Sequence, residues 1–174
     1  MAIVWTTEPL QQSKATAAVV IKNPNEVKNA FTVTDAPEAS AALQLDSAQE
    51  VNQLKDFLKD YDMTSISTDE LKKVGRRLYN SGAIDEVAFG MFISGNGEFD
   101  EKGNQANTHV RYNAVALFNQ RFEEYSRFLE EHPVHSNSDN LRWKQGMIAA
   151  NHAVGALAYF ANSASHKLAL DEQA

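Results

Sequence analysis

The five histidines, His109, His132, His135, His152 and His166, are the residues with which this cysteine-free chain could do acid–base chemistry near neutral pH or hold a metal. His132 and His135 stand in a His-x-x-His spacing, with Glu130, Glu131 and Asp139 close in sequence. Pro133 bends the chain between the two rings, and the helix-borne Glu-x-x-His pairs of di-metal bundles are missing. The pattern therefore predicts a solvated helix terminus, where His132 complements the dipole. His152 sits beside Asn151 in an apolar run, and a buried imidazole must find a partner or stay neutral. The expectation is a hydrogen bond to a backbone carbonyl or a Tyr hydroxyl; a polar spot in an oligomer interface and a ligand role are the alternatives.

Other chemistry is weaker still. Asn96, Glu98 and Asp100 alternate as early EF-hand ligands do, but the sixth and twelfth positions counted from Asn96 are Glu101 and Asn107, where that loop needs Gly and a bidentate Glu. Residues 94–107 are therefore expected to be a plain connection between helices, with Gly95, Gly97 and Gly103 in its turns. Gly95-Asn96-Gly97 follows no parallel strand, and no Gly-Lys-Ser/Thr phosphate loop or Gly-x-Ser-x-Gly elbow occurs. The acid pairs Glu123/Glu124 and Glu130/Glu131 are adjacent, so on a helix their carboxylates point apart and serve solvation. No catalytic, cofactor-binding or metal-ligating residue is assigned, and no cofactor is implied.

The element that would position everything else is the run 141–160, whose part 146–160 holds only two strongly polar side chains, Asn151 and His152. At 100° per residue, Trp143, Met147, Ala150, Val154, Leu157 and Ala161 gather on one side and Leu141, Ile148 and Tyr159 roughly opposite, so both sides want neighbours. The run is too short and too Ala-rich for a membrane span, which needs about 20 apolar residues. Small residues (Gly146, Ala149, Ala150, Ala153, Gly155, Ala156) give it a thin profile suited to close helix packing or to a self-association groove.

Around it, the capping boxes Ser47/Glu50 and Ser67/Glu70 predict two helix starts, the first followed by Val51, Leu54, Phe57, Leu58 and Tyr61, the second by Leu71, Val74 and Leu78 and stopped at Gly82. Asp85 caps a third, densely apolar helix with Val87, Phe89, Met91, Phe92 and Ile93. Thr108 is the expected N-cap of a long fourth helix reaching His132. Its apolar stripe of Val110, Ala114, Leu117, Phe118, Tyr125, Phe128 and Leu129 is broken once, by Arg121. This helix should pack antiparallel to the central one. Residues 61–67, Tyr-Asp-Met-Thr-Ser-Ile-Ser, with Glu70-Leu71, Leu78-Tyr79, Gly82 and Ile84, resemble a segment of short, uncharacterised proteins of proteobacteria. That resemblance implies a bacterial cytoplasmic protein and carries over no activity, cofactor or site.

The expected fold is all-α: a compact bundle of about five helices over 47–165, with a buried Ala-rich central helix, a loosely ordered N-terminal arm at 1–46 and a C-terminal tail at 166–174. The arm holds Pro9, Pro24 and Pro37 and two β-branched runs, 18–21 and 30–33, that could form short strands or dock on a partner. A chain starting at Ser47 should on this reading keep its fold. A net charge of −7 argues against nucleic acid and anionic membrane surfaces as partners. Residues 1–5 are followed by Thr, Glu, Pro and Gln rather than by a basic start and an apolar core, so no secretory signal is expected and the location is cytoplasmic. The implied function is a non-enzymatic helical interaction or adaptor protein, self-associating as a homo-oligomer or binding a protein partner. A secretion substrate or regulator recognised through its arm is the alternative, and a metal-dependent enzyme using the histidines a third.

Overall fold

Five helices begin where a short polar side chain accepts from the backbone amide three residues on: Asp35, Ser47, Ser67, Asp85 and Asn113. At Ser47 and Ser67 the return bonds from Glu50 and Glu70 complete both capping boxes. The computed structural model describes residues 28–171, with side chains to 163. In chain order the helices are α1 (Ala36–Ala42), α2 (Ala48–Leu58), α3 (Thr68–Asn80), α4 (Glu86–Ser94), α5 (Ala114–Glu131) and α6 (Ser138–Asp171), with a 3-10 turn at Pro133–His135. Two two-residue strands, β1 (Ile66–Ser67) and β2 (Arg111–Tyr112), pair antiparallel with Ile66 opposite Tyr112. The fold is thus all-α: among the described residues 64% are helical and this minor sheet is the only one. No described helix is long and apolar enough to cross a membrane.

Helix α6 is the centre of the packing: α1, α2, α4 and α5 all lie against it, while α3 lies against α4. Ala150, Ala153, Val154, Ala156, Leu157 and Phe160 are buried on it, each large side chain contributing about 1.5–3 kcal/mol of hydrophobic stabilisation. Its glycines are contact points. A side chain at Gly146 would overlap Val87 of α4, and a Cβ at Gly155 would lie 2.5 Å from the Phe31 carbonyl oxygen. The thin profile read from the sequence is therefore used within the chain, at these positions, by α4 and by the segment before α1. Along α5 and α6, Phe118 meets Asn151, Phe122 meets Lys144 and Tyr125 meets Asn140. Numbers that rise on one helix fall on the other, so the pair is antiparallel.

Several boundaries differ from the expectation. The packed body starts before Ser47: Phe31, Val33, Ala39 and Leu43 are buried, and Val33, Ala39 and Leu43 belong to the main core. Residues 30–33 form a turn followed by irregular chain rather than a strand, with Asn29 Oδ1 accepting from the Phe31 amide and Thr32 Oγ1 from the Asn29 amide. The other expected strand, 18–21, lies outside the described residues. Pro37 does not exclude a helix, because it occupies the first turn of α1, where no amide is needed. Thr108 does not cap the fourth helix. Its hydroxyl donates to Asp69 at 3.0 Å and its carbonyl accepts from the Asp69 amide, while β2 takes 111–112 and moves the cap to Asn113. At its far end α6 continues to Asp171, into the expected tail.

Candidate ligand groove

The second capping box starts a chain of contacts that ends at a charged side chain. Glu70 holds Ser67 and also bonds Arg111 at 2.7 Å, and Arg111 reaches the Ser65 carbonyl at 2.6 Å, fixing β2 on β1. Burial works to raise the Glu70 pKa, but the Ser67 amide and hydroxyl and the Arg111 charge outweigh it and hold the carboxyl below its usual range. Next in sequence, buried Thr68 accepts from the Asn96 amide at 3.0 Å and packs so closely on Gly95 that a Cβ there would overlap it. This ties the start of the 94–107 loop to α3.

The loop then closes on itself. Ala106 bonds Glu98 and Asp100 bonds Asn104 through the backbone, around a Phe99–Gln105 bridge. Asp100 accepts from the Asn104 amide and side chain and from the Lys102 amide, which lowers its pKa. Asn96 spends its side chain on the Glu98 amide and the Ala106 and Asn107 carbonyls, and Glu98 accepts from Asn107. The three residues that alternate as calcium ligands would are thus engaged in shaping a turn.

Gly97, at φ +76°, comes to rest against Arg121 of α5; a Cβ there would stand 2.5 Å from Arg121 Nη2. The guanidinium is half-buried and donates from Nη1 to Ser94 Oγ at 3.3 Å, while that hydroxyl donates to the Met91 carbonyl. Among the described residues no carboxylate forms an ion pair with it. Burial pushes its pKa below the ordinary arginine value, opposed by Tyr112 and by Glu124, whose carboxylate accepts from Gln120. An arginine so placed remains a cation at neutral pH. The Tyr112 hydroxyl is buried beside Thr68, and burial raises its pKa against the opposing pull of Thr68 and Arg121.

Arg121 borders a groove of about 490 Å³ between α4, α5 and α6. Its floor is apolar: Met91 and Met147 are 3% and 5% exposed. Tyr125 lines the wall, and Phe128 and Trp143, 39% and 42% exposed, stand at the rim. The groove-lining residues include no histidine, and Glu124 is their one carboxylate. Apolar contact with a single fixed cation is the chemistry this arrangement offers.

The histidines singled out in the sequence do not line the groove among the described residues. His132 ends α5, exposed, with Nδ1 3.0 Å from the Phe128 carbonyl oxygen. Its ring stacks on Phe128 at 4.8 Å, His135 stacks on the same ring at 5.4 Å, and the two imidazoles are 6.2 Å apart. Among the described residues no three His, Asp or Glu side chains are placed to hold a metal. His109 is exposed, and the His166 side chain lies outside the described residues.

His152 is exposed rather than buried, edge-on to Phe31 at 5.0 Å. One residue is 100° of helix, and it is Asn151 that faces inward, donating to the Phe118 and Met147 carbonyls at 3.1 and 2.9 Å while its own oxygen has no partner among the described residues. Sequence reasoning did not single out Arg121 as a site, although its break in the α5 stripe was the signal available. No protein-family model matches the chain, and neither a curated protein nor a solved structure matches it significantly.

Proposed function

We propose that the chain is a non-enzymatic binding protein that takes an apolar segment of a partner protein in the groove between α4, α5 and α6. The observation behind this is Phe128 and Trp143 standing exposed over a floor of two methionines. Aromatic residues and Met are enriched at protein interfaces, and Met adapts to varied partners. A shallow, open groove suits a peptide segment better than a small substrate, which pockets enclose on most sides. Photo-crosslinking in the native host tests this, with p-benzoylphenylalanine placed at Phe128, at Trp143 or, as a control of similar exposure, at Val110. A discrete adduct at the first two positions and none at 110 supports the reading. Mass spectrometry of the adduct then separates a second copy of this chain from a different protein. Equal labelling at all three positions, or none at the groove, refutes it.

A further inference from the structure

The strongest unexplained feature of the molecule is the Arg121 guanidinium. A charge taken half out of water normally sits against a carboxylate, because desolvation disfavours the ion and only a close opposite charge compensates. Here the described structure supplies one neutral acceptor, Ser94 Oγ, whose own proton goes to the Met91 carbonyl. Glu124 is exposed and within electrostatic reach, but forms no ion pair. Nη2 lies against Gly97, the loop position where a side chain would collide with it. The guanidinium is thereby held in place by backbone and helix at the border of an apolar floor, in a chain whose net charge is −7. A fixed, incompletely matched cation beside apolar surface is complementary to an anion joined to an apolar group. A planar guanidinium fits a carboxylate through two parallel N–H···O bonds.

We propose that the groove binds a carboxylate carried next to an apolar side chain of the partner, the carboxylate lying on Arg121 and the apolar group on Met91 and Met147 between Phe128 and Trp143. This rests on the groove reading above and adds the chemistry of its occupant. The carboxylate is the C-terminus of the partner protein, because Arg121 borders the methionine floor directly and a terminal residue carries its carboxylate and its apolar side chain on one Cα. Arg121 is the anchor of the anion, and the methionines and aromatic rim supply the apolar contact.

The test uses the full chain labelled at its methionine methyls with carbon-13, in which Met91 and Met147 report the groove and Met63, 1% exposed in the core, reports everything else. The probes are N-acetylphenylalanine, N-acetyl-aspartyl-phenylalaninamide and, with no carboxylate, N-acetylphenylalaninamide. Ligands of this size bind on the order of millimolar. The expected result is saturable shifts of Met91 and Met147 but not Met63, with N-acetylphenylalanine at least about ten-fold tighter than the amide, the worth of one charge-assisted pair. An aspartyl probe that binds as tightly as N-acetylphenylalanine, or more tightly, overturns the terminal carboxylate. Raising salt should weaken the acid and leave the amide unchanged, a comparison that needs no variant. Arg121→Gln and Arg121→Met should each reduce the preference to less than about three-fold while the amide still shifts both methyls.

Equal binding of acid and amide to the unaltered protein overturns the carboxylate anchor while leaving the crosslinking result to stand or fall by itself. An acid preference that survives both substitutions, or no saturable shift with any probe up to about 20 mM, also overturns it.

Discussion

Deleting residues 1–46 should unfold the protein, because the segment just before Ser47 is part of its core. The deletion removes Phe31, Val33 and Leu43, which are 9%, 9% and 1% exposed, together with fully buried Ala39. At about 1.5–3 kcal/mol for each of the three large side chains, the loss is roughly 5–9 kcal/mol, an upper estimate because the unfolded chain already buries some of this surface. Whole domains of this size are stable by only about 5–15 kcal/mol. The deletion also uncovers the α6 face around Gly155, where the Phe31 carbonyl now lies, and leaves apolar surface open to water. Urea unfolding followed by circular dichroism, on chains starting at Lys28 and at Ser47, measures the difference. The chain from Lys28 retains every described contact and should unfold cooperatively, whereas the chain from Ser47 should lack a cooperative transition or aggregate. A chain from Ser47 whose transition falls within about 1 kcal/mol of the longer chain would show that burial of 31–43 contributes nothing, and would refute the reasoning.

Val154→Asp places an unpaired carboxylate at a position 1% exposed on α6 and should cost several kcal/mol, so the thermal transition is lost; a normal transition would mean that this face is open to solvent. Arg121→Met removes a half-buried charge that has no ion pair and should leave stability unchanged or raise it by up to about 1 kcal/mol in urea titration, whereas a loss above about 2 kcal/mol would show that the arginine is structural. Glu70 has a folded-state pKa below its unfolded value, so its contribution is present above the unfolded pKa and disappears as pH falls through the folded one. The urea midpoint of the unaltered protein should therefore drop from about pH 5 to pH 3 more than that of Glu70→Gln, and parallel curves would contradict this.

Local signals in the sequence translated well into structure because they are closed by residues only a few positions apart. Ser47 with Glu50, Ser67 with Glu70 and Asp85 with Ala88 are each satisfied within one helical turn, whatever the rest of the chain does. The errors fall where a distant element decides. Thr108 and Asn113 can both cap a helix, and what favours Asn113 is the pairing of Tyr112 with Ile66, a contact no local pattern announces. Helix α1 was hidden by the composition around Pro37, although Asp35 before a proline in the first turn is a sound helix start. On α6 the run is apolar nearly all round, so its periodicity could not say which of two neighbours, Asn151 or His152, faces inward.

The candidate site was legible only as an irregularity. A lone arginine in the apolar stripe of α5 has two physical readings. Its stem can lie on the core with the head swung into water, as long cationic side chains usually do, or its head can be held at the surface of the core. Sequence favours the first reading, because it is what long cationic side chains at the edge of an apolar stripe ordinarily do. The second holds here because Gly97 and Ser94, more than twenty residues earlier, are brought against the guanidinium by a loop anchored on Thr68. The apolar half of the groove is assembled the same way, with Met91 from α4 and Trp143 and Met147 from α6. Three helices therefore meet around one cation, and His132, His135 and His152, which looked chemical, are exposed to solvent. Binding chemistry of this kind leaves no motif, because its specificity lies in where one charge is placed relative to apolar surface rather than in the spacing of residues along the chain.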